Sequence, residues 1–112
     1  MLDNNKRKKT NSFISMGIYS IQNGIIKEIG ATEFSVLCVI VAFCDEFNES
    51  SVSQRKISEV TGMSLPTVNK AINKLLKVNI NGESVLKRKF SNSLERKKYS
   101  IYTIDTHLLA VC

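Results

Sequence analysis

The sequence predicts a mainly α-helical α+β domain, with three to four helices and a small antiparallel sheet of two or three strands. Three observations lead there. Apolar residues recur at helical spacing through Val68, Ala71, Ile72, Leu75 and Leu76. Two β-prone stretches follow, Glu83–Phe90 and Lys98–Ile104, rich in β-branched and aromatic side chains. Positive charge gathers in the same half: residues 50–104 hold eleven Lys and Arg against three Glu, whereas residues 10–49 hold one Lys against five acids.

Each element can be justified in order. Residues 1–12 are polar and basic without periodicity, and read as a disordered tail carrying Lys6, Arg7, Lys8 and Lys9. The folded domain is expected over 13–104, and 105–112 as a closing segment or the start of a linker. Gly17 to Ile21 reads as a short strand that adds a third member to the sheet. Ile25, Ile26 and Ile29 suggest a short helix stopped by Gly30. Thr32 and Glu33 then look like a cap and first turn for Phe34 to Phe47, which is apolar nearly all round. Its β-branched residues allow a strand on propensity, but its length favours a helix buried on most sides. Asp45, Glu46 and Glu49 lead into a polar loop, Asn48 to Ser51.

Ser53 is placed to cap a helix over Gln54–Thr61, with Ile57 and Val60 on its inner face, and Gly62 ends it. Ser64 caps the next helix, Pro66 suits its first turn, and the apolar stripe carries it to about Val78. Asn81-Gly82 marks a turn. The stretches 83–90 and 98–104 form a hairpin joined by the polar residues 91–97.

The composition excludes several classes. The longest near-continuous apolar run, Val36 to Cys44, is far short of the roughly 20 residues that span a membrane. Three cysteines (Cys38, Cys44, Cys112) and one histidine (His107) show no metal-ligand spacing, so no metal or other cofactor is expected. Cys38 and Cys44 read as small buried hydrophobes. The odd cysteine count and the lack of a signal-peptide pattern suggest a reducing cytoplasm. No phosphate-binding glycine loop and no nucleophile–base arrangement appears, so the chain is expected not to be an enzyme and to bind no small molecule. A localised basic face instead points to a nucleic-acid partner.

The stretch Ser53 to Leu76 resembles a helix-turn-helix at nearly every position that geometry restricts. Ile57 faces the core, Ser58 is small where the helices cross, and Gly62 supplies the positive φ of the turn. Met63 plugs the turn, and Val68, Ala71 and Ile72 point inward. With the basic hairpin behind it, the segment from about Gly17 to Ile104 resembles the winged helix-turn-helix superfamily. The element order is similar to the N-terminal domains of DnaD-type and of phage and plasmid replication initiators, and also to MarR- or GntR-like regulators.

That resemblance implies sequence-specific binding of double-stranded DNA. The second helix of the motif would enter the major groove. Asn69 and Asn73 would read adenine edges and Lys70 guanine. Ser64 and Thr67 would touch phosphates at the helix start, and Lys74 and Lys77 would meet the backbone. The wing would offer two triplets, Lys87-Arg88-Lys89 and Arg96-Lys97-Lys98, expected to face each other across the hairpin and to contact phosphates or the minor groove. The tail, Lys6 to Lys9, would lie along an adjacent groove. Tyr99 and Tyr102, near the basic wing, are candidates for stacking on single-stranded nucleic acid, or else for the core. Replication initiation is the expected role, with transcriptional regulation as the alternative. The rival of another class is a winged helix that assembles a protein complex through its apolar central helix. Homodimerisation, and replication or transcription proteins as partners, fit either DNA role.

Overall fold

A computed structural model describes residues 21–80, 82–91 and 99–104. The tail residues Lys6 to Lys9, the wing residues Arg96 to Lys98, most of the expected Gly17–Ile21 strand, His107 and Cys112 lie outside these. Among the described residues the helices are α1 (Ile25–Ile29), α2 (Ala31–Ala42), α3 (Gln54–Thr61) and α4 (Leu65–Leu75). The strands are β1 (Glu49–Ser50), β2 (Asn79–Ile80), β3 (Glu83–Ser84), β4 (Leu86–Phe90) and β5 (Ser100–Ile104). The fold is α+β, with a small antiparallel sheet ordered β1-β5-β4 and a separate β2–β3 hairpin.

Gly30 joins α1 to α2 at a φ of +112°, which an L side chain rarely adopts, and a Cβ there would run into the Glu33 carboxylate. This lets α2 begin at Ala31, earlier than the expected Thr32 cap, while Phe43 ends it short of Phe47. The helix packs on both α3 and α4. Burial on most sides was expected, but the buried residues, Val36, Leu37, Ile40 and Val41, follow one side, and Phe34, Cys38 and Val39 are only half-buried because the other helices cover that one side. Cys38 and Cys44 are half-buried rather than enclosed. Burial pushes both thiols up, Cys44 to about 11 with the Asp45 charge adding to the effect.

Asp45 organises the next turn: its Oδ1 accepts from the backbone N–H groups of Phe47 (2.7 Å) and Glu49 (3.0 Å). The expected loop therefore ends in a strand. Glu49 and Ser50 pair with Thr103 and Tyr102, so β1 completes the three-stranded sheet in the place expected of Ile18–Ile21. Ile21 itself is helical.

The predicted helix caps are present. Ser53 Oγ accepts from the Lys56 N–H (3.0 Å) and Ser64 Oγ from the Thr67 N–H (3.3 Å). Between them Gly62 takes the left-handed conformation at φ +82° and closes α3 through a bond to the Ser58 carbonyl. Ser58 Oγ donates to the Met63 carbonyl at 2.6 Å, tying the turn to α3. Ile57 is the one buried residue of α3. Val60, expected inside, is 52% exposed, because the sheltered stripe of α3 runs along Gln54, Ile57, Ser58 and Thr61, at i, i+3, i+4 and i+7, and leaves Val60 beside it. In α4 the buried residues are Val68, Ala71, Ile72 and Leu75, as the spacing predicts; the helix ends at Leu75 with Leu76 as cap, short of Val78.

The stretch read as one strand over 83–90 is two. Val85 and Leu86 are both buried, and two adjacent inward side chains break the alternation of a strand. Before them β3 pairs with β2; after them β4 pairs with β5. Val85, Leu86, Tyr102 and Ile104 join the helices in one hydrophobic core.

Candidate nucleic-acid interface

The α3–turn–α4 unit followed by the β4–β5 hairpin is a winged helix-turn-helix arrangement. Its burial pattern decides what α4 presents. With Val68, Ala71, Ile72 and Leu75 inward, Lys70 and Asn73 stand on the outer side and are exposed, as is Lys77 in the turn that follows. No acidic residue occurs in α4, so this face is cationic and amide-rich.

The two flanks of that face differ. On the α3 side, Asn69 Nδ2 donates to Gln54 Oε1 (3.4 Å), and Asn73 Nδ2 donates to Asn69 Oδ1 (3.2 Å). The three amides form a chain across the two helices. A carboxamide has two N–H donors and two acceptor lone pairs, so Asn69 keeps one of each for a further partner. Adenine presents one donor and one acceptor in the major groove, N6–H and N7, which is the complementary pair. Gln54 was given no role from sequence. No local signal marks it, because only the crossing of the two helices sets the first residue after the Ser53 cap beside the flank of α4.

On the opposite flank, Lys74 reaches the Glu33 carboxylate at the start of α2 (3.8 Å). Lys74 was expected among the DNA-backbone contacts; in this geometry its charge is shared with an acid from another helix. Ser64 and Thr67 are also engaged with each other, Ser64 Oγ donating to Thr67 Oγ1 at 2.9 Å. Both remain exposed at the N-terminus of α4, where unpaired backbone N–H groups favour an anion.

The wing corrects a second expectation. Lys87, Arg88 and Lys89 pair across the hairpin with Thr103, Tyr102 and Ile101, not with a second basic triplet. Arg88, opposite the buried Tyr102, lies on the core side of the sheet, where its guanidinium sits 5.5 Å from the centre of the Phe90 ring. Lys87 and Lys89 take the other face. Lys89 Nζ bonds to Glu49 Oε2 at 3.1 Å, so β1 neutralises one wing cation. Tyr102 belongs to the core, whereas Tyr99 is exposed.

Residues 27–79 match a family model described as a helix-turn-helix domain. The match runs from within α1 to the first residue of β2, contains all of α2, α3 and α4, and stops before the wing. No curated protein and no solved structure matches the chain. Among the described residues no helix is long and apolar enough to cross a membrane.

Proposed function

We propose that the protein is a sequence-specific binder of double-stranded DNA that lays the outer face of α4 in the major groove. The observation that carries this reading is the face itself: Asn69, Lys70 and Asn73 exposed on a helix without acids, with Lys77 just beyond its end, at the position a helix-turn-helix gives its reading helix. In this reading Asn69, oriented by Gln54 and Asn73, takes an adenine; Lys70 takes a neighbouring guanine or phosphate. Lys77, Lys87, Arg88 and the exposed α4 N-terminus at Ser64 and Thr67 hold the backbone. Lys74 and Lys89 contribute less, since each already faces a glutamate. Arg96, Lys97 and Lys98, with the tail residues Lys6 to Lys9, would add sequence-independent phosphate contacts.

Replication initiation is the role this reading favours, on the resemblance of the sequence to replication-initiator domains. A small transcriptional regulator would use the same face. One observation favours a protein-assembly role beside DNA binding: Phe43, which ends α2, and Phe47 in the turn beyond it are both exposed, Phe47 at 71%. A homodimer or a replication partner would have an apolar contact there.

Fluorescence anisotropy on a labelled duplex at two salt concentrations tests the proposal. The expected result is binding that weakens with salt at a slope of roughly −0.9 per phosphate neutralised. Lys77→Ala should reduce that slope by about 1 on every sequence. No binding to any duplex at low salt would overturn the reading.

A further inference from the structure

Phe90 closes β4 as an exposed aromatic residue in a basic strand. It is 59% exposed, although the core lies on its side of the sheet, because the hairpin runs past the packed part. Its ring is not idle: the Arg88 guanidinium lies over it. The backbone beside it is pinned. The Ser91 N–H donates to the Tyr99 carbonyl (2.9 Å) and the Tyr99 N–H to Ser91 Oγ (3.2 Å), with Ser91 itself buried. Tyr99, 53% exposed, is a second open ring at the same end of the hairpin. Neither ring is needed for the core, and reading a continuous duplex uses neither.

We propose that this end of the wing is a stacking site for an unpaired nucleotide, so that the protein favours DNA whose duplex is locally open. The proposal rests on the DNA-binding reading above and extends it to a second DNA form. An aromatic ring binds a base face to face, and a base inside a continuous duplex has both faces covered by its neighbours. An unpaired base has a free face, and a guanidinium beside the ring meets the phosphate that travels with it. Arg88 supplies the charge that draws the strand; the ring supplies a gain that a phosphate contact alone cannot give.

The test compares two DNAs of equal length and charge, one fully paired and one carrying a three-nucleotide mismatched bubble beside the same site. The wild-type protein should bind the bubble DNA about tenfold more tightly, the scale of one base–aromatic stack. Phe90→Leu should remove that preference and leave affinity for the paired duplex unchanged, which also shows that the variant is folded. Phe90→Tyr should keep the preference, since the ring is retained. Equal binding of the two DNAs by the wild type, or a preference that survives Phe90→Leu, would overturn the stacking site while leaving the duplex reading intact. Failure to bind either DNA would overturn both.

Discussion

Helices α2 and α4 pack against each other and are nearly equal in length, yet they do opposite work. Apart from Thr32, Glu33 and Ser35 near its start, α2 has only apolar residues, and it packs on both α3 and α4. In α4 four buried residues hold one side, while the other side is given over to Asn and Lys. A helix that is apolar on most sides can only be scaffold. A helix whose polar half is wide, acid-free and unused by the fold has that half available for a partner. The contrast separates changes that break the molecule from changes that alter what it binds.

The largest effect should come from the scaffold. Ile40 is fully buried, and Ile40→Ala should cost about 2–5 kcal/mol by leaving a cavity. Chemical denaturation should show that loss, with DNA affinity falling only as the folded fraction falls. Next in size are the exposed amides. Asn69→Ala should leave the melting temperature nearly unchanged and weaken binding by about 1–3 kcal/mol, chiefly at one adenine of the preferred site. Gln54→Ala should blur the preference at that same base pair, since it removes the partner that holds the Asn69 carboxamide. A site-substitution series measured for both variants distinguishes this from a uniform loss of affinity.

Ser64→Ala removes the α4 cap and should cost about 1 kcal/mol of stability, read by thermal melting. A further effect comes from Cys44, just past the end of α2. Its thiol is held up at about 11 by burial and by Asp45, so the folded protein keeps a proton that the unfolded chain releases near the ordinary value of 9.0. The contribution is fully present below that ordinary value and is lost as pH rises through the folded value. Stability measured from pH 8 to 11 should therefore fall more steeply in the wild type than in Cys44→Ala. The smallest effect is expected at Lys74. Its pair with Glu33 is largely exposed on the lysine side, so Lys74→Met should change stability by about 0–1 kcal/mol and binding little.

How much of this was legible follows from the same contrast. The α4 helix could be read because three local signals coincide: the Ser64 cap, Pro66 in the first turn, and a clean apolar stripe. The centre of α2 was legible from its length, but its ends were not, because a segment apolar all round has no stripe whose end can be seen. Short-range signals also gave Gly62, Ile57 and the Ser53 cap. The two-residue strand β1 was hidden, since its partners in β5 lie far along the chain and two residues carry no pattern. The wing register was likewise invisible, as it depends on the residues that join the strands, and so the basic triplets were set opposite each other. Partnerships across helices, such as Gln54 with Asn69 and Lys74 with Glu33, need the crossing angle, which a helical wheel does not contain.

The most direct test of the central claim is a residue-by-residue NMR map of the backbone amides as a duplex is added. The account predicts that the signals that move are those of the exposed residues from Ser64 to Asn73 on α4, of Lys77 just beyond it, of Gln54, and of Lys87 and Arg88 in β4, while the buried residues of α2 stay in place. Shifts confined to Phe43, Phe47 and the rest of the α2 end, with α4 unmoved, would contradict it and assign the interface to the scaffold helix.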